Sequence, residues 1–512
     1  MDFYRLLKNN LLLIFILTLG LFLYCYQLGT IPSGVFMDEA LVGYDAFSIL
    51  NTLKDHQGQT LPIYFKFFNS YTPGLFVYVE TIFVKLFGLN PQAIRLPSAI
   101  SLLSVATGLY WFLKKYKILK LKQAELLALF LFIITPWAVF NARLGYEVTF
   151  AFALLSLGIL FYEKPMLSFF LISLSTYAGH TQRYLAPLVL LIIYFIFYFK
   201  KHPFKKIFLP LVLAAIIQIP NIIMMFTPAF WIKNTIFTSS FIEQYFSYFS
   251  PQNLFNKQDN DPQRSIPGLA IFYSWMFFPW LAGIYELYIK RKVPLYFYLI
   301  CLIIIIPLPA ALANADYSTQ RALPLLLPYS IVIAIGVDKI LQNLQPSSGV
   351  VISLCVIAFS LILLWRSYFI LFPRQRATAW NYGYDQIAKL IKNNPQKHFI
   401  IDNSRNVPGI LILFWLKYPP SLLQQENPAR GDYYWKASST SNTNFANVEV
   451  RPIDWKVDSC RHQVLVGDGL AMSSNQISEH FLSESLLIKD NRHQIILQAY
   501  DTNPALKCAA QR

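Results

Sequence analysis

The sequence predicts an α-helical polytopic membrane protein of about 11 transmembrane helices plus interfacial helices, followed by a small C-terminal α/β extracytoplasmic domain. Three observations predict it. Apolar residues make up 55% of the 512-residue chain and charged residues only 14%, too little charge to coat a soluble protein of this length. Runs such as LLLIFILTLGLFLYCY (11–26), YLICLIIIIPLPAAL (298–312) and VVISLCVIAFSLILLW (350–365) approach the roughly 20 residues that cross a bilayer core. Beyond residue 369 the pattern changes, with Asn, Gln, Ser and Asp returning and no spanning run. The chain is therefore read as residues 1–369 in the membrane and 370–512 outside it.

The first apolar run is too long for a typical signal peptide and lacks a small-residue exit, which predicts an uncleaved first helix. Further spans are expected near 95–113, 123–140, 148–162, 166–180, 184–199, 207–226, 267–289, 293–312, 323–341 and 349–369, after a first near 11–28. The basic clusters KKYKILKLK (114–122), KKHPFKK (200–206) and KRK (290–292) belong on the cytoplasmic side. The stretch 71–88 is apolar enough to cross, but crossing would carry the 114–122 cluster outside. It also holds Glu80 and Lys85, so it is read as an interfacial helix in an external loop. The N-terminus then lies inside and the tail outside. In the tail, HFIID (398–402) and HQVLVG (462–467) read as strands and VPGILILFWLKY (407–418) as a helix. LLIKDNRHQIILQAY (486–500) reads as a hairpin turning at Asp490-Asn491.

The formal charge of +16 sits in short clusters between apolar runs, which is membrane topology rather than a nucleic-acid footprint. No nucleic-acid partner is expected. The five cysteines show no metal spacing; Cys460 and Cys508, in the polar tail, can pair in an oxidising compartment.

This topology sorts the polar residues. The external face collects Asp38 with Glu39, Arg143 with Glu147, His180 with Arg183, and Asp316 with Arg321, whereas the cytoplasmic loops hold mostly Lys. Asp38 and Glu39 open an amphipathic helix in which Leu41, Tyr44, Phe47 and Leu50 recur at helical spacing. Acids there either cap free N–H groups or present a carboxylate as a general base. Arg143 and Glu147, four apart, are either an ion pair within one helix or a grip on an anionic substrate. His180 and Arg183, like Tyr317 and Arg321, are either ordinary polar turns or substrate contacts. Three arginines at outer helix ends suit a phosphate, with Lys66 as a further cation. No Gly-rich nucleotide loop and no HExxH pattern occurs. A divalent metal held through Asp38 stays open and no other cofactor is indicated.

The segments MDEALVGYDAFSILNT (37–52), LPIYFKFFNSYTPGLFVYVETIFVKLFGLN (61–90), AIRLPSAISLLSV (93–105) and TPWAVFNARLGYEVTF (135–150) resemble GT-C glycosyltransferases, in particular the protein O-mannosyltransferase and lipid A aminoarabinose transferase group. QRYLAPLVL (182–190) and QRALPLLLPY (320–329) resemble that family's later Arg-Pro helix starts. The resemblance implies an inverting transfer from a polyprenyl-phosphate-linked sugar to a protein, lipid or glycan acceptor outside a bacterial-type plasma membrane. It makes Asp38 the catalytic carboxylate and Glu39 its neighbour in the motif, and it matches Arg143 and Glu147 to the family's Arg…acid pair. Many relatives carry an acid and a Lys-Pro-Pro-like run where this chain has Ser70-Tyr71-Thr72-Pro73-Gly74. The alternative is a transporter or flippase of a lipid-linked or anionic solute, which would place ionisable residues mid-membrane; here the apolar runs hold almost none.

Overall fold

The structure, a computed structural model, describes residues 2–199, 205–227, 240–313, 317–427, 434 and 443–509. Two compact units form. The first comprises Met1–Leu28, Thr72–Phe76 and Arg95–Leu371; the second comprises Gly29–Tyr71, Val77–Ile94 and Phe372–Arg512. The first long loop and the tail thus belong to one body.

Six helices among the described residues, lying wholly or mainly in the first unit, are long and apolar enough to cross a membrane: Pro91–Tyr116, His180–Tyr198, Lys206–Met224, Pro294–Leu312, Leu323–Gln342 and Pro346–Gln375. With them the chain is an integral membrane protein. The expected span 123–140 is two helices, α5 (Ala124–Ile134) and α6 (Pro136–Ala142), bent by 59°. Pro136 causes the bend, because it offers no N–H to the preceding turn and instead starts the next one. The other expected spans also contain helix. α1 (Asp2–Cys25), α7 (Val148–Leu160), α8 (Pro165–Ser175) and α9 (His180–Ile193) hold four of them. The span expected at 267–289 is helical only from Ser274, because Pro267-Gly268 turns the chain with Gly268 at φ +71°. The helices Phe277–Ile289 and Leu326–Gln342 approach so closely that a Cβ on Gly283 would lie 2.0 Å from the Val332 carbonyl oxygen, and one on Gly336 1.7 Å from that of Pro279. Glycine is the residue that permits such a crossing.

The loops of this unit separate by chemistry. At one end, the Asp338 carboxylate accepts from the amides of Lys120 and Leu121, both at 2.9 Å. Glu286 pairs with Lys290 at 2.6 Å and Lys339 at 3.8 Å. The basic clusters 114–122 and 290–292 therefore share an end; residues 200–204 of the third, like Asp316, lie outside the described residues. At the opposite end of the same helices stand Glu147, before α7, and Arg321, before the helix Leu326–Gln342.

In the second unit, α2 (Met37–Thr52) leads to a two-stranded sheet of β1 (Tyr64–Phe67) and β2 (Ser70–Pro73). α3 (Leu75–Phe87) follows across the unit boundary; its 13 residues make about 20 Å, short of a bilayer core, and the segment before Leu75 is strand rather than helix. The tail holds a six-stranded sheet in the order β4-β5-β3-β6-β8-β7. β3 (Phe399–Ile401) runs parallel to β5 (Val448–Val450) and β6 (Val464–Gly467), while β4 (Thr443–Phe445) pairs antiparallel to β5. The predicted hairpin is β7 (Ser483–Lys489) with β8 (Ile495–Asp501), and its turn is fixed by Asp490, whose carboxylate accepts from the amides of Arg492 (2.8 Å) and Gln494 (2.9 Å). The predicted helix is Pro408–Leu416. Cys460 and Cys508 are joined by a disulfide, as suits an oxidising compartment.

Candidate active site

In the second unit the acidic pair divides. Glu39 is fully buried and its carboxylate accepts from the Phe36 amide at 3.2 Å, closing the first turn of α2. Asp38, one position earlier, is half-buried. The rest of α2 is held firmly. Tyr44 donates to the Tyr418 carbonyl at 2.9 Å, and Gln424 donates to Ser48, Thr52 and the Asp55 carbonyl at 2.9–3.1 Å. Asn381 donates to the Val35 carbonyl just before the helix at 3.3 Å.

The same unit contains a polar cluster that sequence reasoning missed. Asp45, 1% exposed, accepts from the His56 amide at 2.8 Å and meets the His56 ring at 2.7 Å. Asp55 accepts from the Gln59 amide (2.8 Å) and from the Tyr434 hydroxyl (2.8 Å). Burial, then the nearby Asp45, pushes the Asp55 carboxyl up to about 6. Burial pulls the His56 imidazolium down, but the Asp45 carboxylate outweighs it and the net shift is upward. Lys66 belongs to this cluster: its amide donates to the Tyr434 hydroxyl at 3.1 Å, and burial lowers its ammonium against the pull of Asp55. Asp45 and Asp55 flank a helix end, a placement that helical spacing within α2 does not announce.

In the first unit, Arg143 and Glu147 lie on different helices, Arg143 ending α6 and Glu147 preceding α7, rather than one turn apart on a single helix. Arg143 is fully buried and donates to the carbonyls of Leu23 (2.9 Å), Tyr24 (3.0 Å) and Tyr26 (2.7 Å). Its guanidinium lies 5.1 Å from the rings of Tyr368 and Phe369. Arg95, also fully buried and overlooked in the sequence, donates to the Leu28 carbonyl at 3.0 Å. Arg143 thus meets the last-turn carbonyls and negative dipole end of α1, and Arg95 holds the turn that follows it. Glu147 accepts from the Thr72 hydroxyl at 3.4 Å.

His180 and Arg183 share the first turn of α9, both half-buried. Tyr317 packs its ring 5.1 Å from that of Tyr248, and Arg321 lies exposed at the surface. Gln320 donates to the Tyr146 hydroxyl, which brings the loop carrying Glu147 beside the segment carrying Tyr317 and Arg321. Among the described residues no group of three or more His, Cys, Asp or Glu is placed to hold a metal ion.

No protein-family model and no curated protein matches the sequence. Solved structures do. ArnT from Cupriavidus metallidurans in the apo state matches with a TM-score of 0.55 and 13% identity, over 95% of this chain and 97% of that one. ArnT bound to undecaprenyl phosphate matches with a TM-score of 0.54 at 12% identity over the same shares. The apo oligosaccharyltransferase of Archaeoglobus fulgidus gives 0.51 at 11% identity, over 91% of this chain and 70% of that one. The chain shares the fold of these proteins, the fold that its resemblance to GT-C glycosyltransferases implied. At 11–13% identity the likeness shows the fold alone, so residue roles rest on this chain's own geometry.

Proposed function

We propose that the protein is a membrane glycosyltransferase that moves a sugar from a polyprenyl-phosphate-linked donor to an acceptor hydroxyl on the extracytoplasmic face, with inversion. The observation that carries the catalytic assignment is the division of the acidic pair: Glu39 is consumed by the cap of α2, and Asp38 on the same turn stays half-exposed. Asp38 takes the acceptor's proton as its oxygen attacks the anomeric carbon. The C–O bond to the phosphate breaks and the polyprenyl phosphate leaves. The leaving group gains negative charge, which a planar guanidinium neutralises through paired hydrogen bonds. Arg321 is the first choice for this role and Arg183 the second, while Arg143 is assigned to the end of α1. Glu147, His180, Tyr317 and Lys66 remain candidates for holding the donor. The GT-C fold shared with an ArnT that binds undecaprenyl phosphate supports the donor class.

Mass spectrometry of membrane lipids and glycans tests the reading, comparing cells that carry the parent, Asp38→Asn or no protein. A product with one added sugar should appear only with the parent, and the variant should lose transfer by about 100-fold or more. A variant keeping more than about a tenth of parental activity would remove Asp38 from the chemistry. Movement of an unaltered lipid-linked solute across reconstituted vesicles, with no new glycoside, would favour the flippase alternative.

A further inference from the structure

The segment 317–320, just before Arg321, is tied down at every residue within the first unit. Ser318 donates its amide to the Tyr248 hydroxyl at 3.1 Å, and its own hydroxyl accepts from the Arg264 guanidinium at 2.8 Å. Thr319 gives both its amide (3.2 Å) and its hydroxyl (3.0 Å) to one carboxylate oxygen of Asp259. The Thr319 carbonyl accepts from the Trp137 indole at 3.1 Å, and Gln320 donates to Tyr146. Asp259 is 3% exposed, sits in the polar loop KQDNDPQRS (257–265), and also accepts from the Asp261 amide at 3.0 Å. Arg264 lies 3.6 Å from Asp259 and 3.1 Å from Asp261.

A carboxylate this deeply buried is costly unless donors surround it. One donor, the Asp261 amide, is local, but the other carboxylate oxygen takes both the amide and the hydroxyl of Thr319, 60 residues away in sequence, and so fixes another backbone segment. The next residue along that backbone is Arg321, whose amide reaches the Ser318 hydroxyl at 3.5 Å. We infer that Asp259 is a positioning residue: with Arg264 it clamps Ser318 and Thr319, and so fixes where the Arg321 guanidinium meets the donor phosphate. This rests on the reading of Arg321 as a phosphate ligand. Bidentate recognition tolerates little angular error, so a loosened segment loses affinity while keeping the charge.

The test measures binding of undecaprenyl phosphate to the full-length protein in nanodiscs, with undecaprenol as the phosphate-free control and thermal midpoints recorded alongside. Arg321→Ala should weaken phosphate-dependent binding about tenfold or more. Asp259→Asn and Thr319→Val should each weaken it roughly three- to tenfold, and Thr319→Ser, which keeps both donors, should bind like the parent. In the Arg321→Ala background Asp259→Asn should cost nothing further, because it acts through Arg321. Parental binding by Thr319→Val and Asp259→Asn, with Arg321→Ala still impaired, would overturn the clamp and leave the phosphate reading standing. Additive losses would overturn it too. Parental binding by Arg321→Ala would remove the phosphate reading and the clamp together. Should Asp259→Asn fail to fold, the Thr319→Val and Thr319→Ser pair decides.

Discussion

Replacing Arg143 by alanine removes the donor for three carbonyls at the end of α1, those of Leu23, Tyr24 and Tyr26 at 2.7–3.0 Å. A buried acceptor stripped of its partner costs about 1–3 kcal/mol, and dismantling a buried charged network about 3–5 kcal/mol in all. The guanidinium also leaves the faces of Tyr368 and Phe369, each 5.1 Å away, for about 1 kcal/mol more. The expected loss is therefore about 5 kcal/mol, seen as a fall of about 10 °C in thermal midpoint. Heating detergent-solubilised protein and measuring the remaining monodisperse peak reads this directly. Arg143→Lys should fall roughly half as far, since one ammonium cannot span carbonyls on both sides of the helix end. A near-parental midpoint for Arg143→Ala, with donor binding lost instead, would return Arg143 to the substrate and refute its assignment to α1.

Three further outcomes are expected. Both Asp55 and His56 have raised proton affinities, so the stability they contribute is complete in acid and is lost as pH rises through the folded values, about 6 for Asp55 and above the usual imidazole range for His56. Proteolytic susceptibility of the 53–66 loop should accordingly increase from pH 5 to pH 8, and Asp45→Asn should flatten the His56 part of that slope; a slope of opposite sign would contradict the cluster's geometry. Reducing the Cys460–Cys508 bond, which closes a separation of 48 residues, should destabilise the tail by about 4 kcal/mol, measurable as a lower denaturation midpoint of its sheet. With Cys25, Cys301 and Cys355 replaced, an impermeant thiol reagent applied outside should modify a cysteine placed at Glu484 and not one at Lys122; the reverse pattern would invert the proposed orientation.

Period and punctuation made much of the architecture legible. Long apolar runs gave the helices, and alternation with a Asp-Asn turn gave the tail's hairpin, because those signals are local. The 59° bend at Pro136 was hidden inside one continuous apolar stretch, where a proline at the start of a second helix looks like a proline within the first. The pairing of Arg143 with residues 23–26 and of Asp259 with Thr319 was not legible at all. Such contacts join positions that no periodicity links, and an arginine at a helix end has the same sequence signature whether it meets a phosphate or a neighbouring helix's carbonyls.

The acidic pair shows where local reading stops and what resolves it. Two adjacent helical residues point about 100° apart, so at most one can turn back over the first turn of α2. Geometry gives that task to Glu39, the third residue of the helix, which reaches the Phe36 amide at 3.2 Å. The two acids should therefore respond oppositely to loss of charge and to loss of shape. Glu39→Gln keeps an oxygen that can accept from Phe36, so it should fold and transfer sugar within a few-fold of the parent, whereas Glu39→Ala should lose about 1 kcal/mol of stability. Asp38→Asn keeps shape as well, yet removes the proton acceptor, and should fold normally while losing transfer by about 100-fold or more. Measuring thermal midpoint and product formation on all three variants separates the roles. Near-parental transfer by Asp38→Asn alongside an inactive but stable Glu39→Gln would reverse the assignment, and the base would then be the residue that the structure places in the cap.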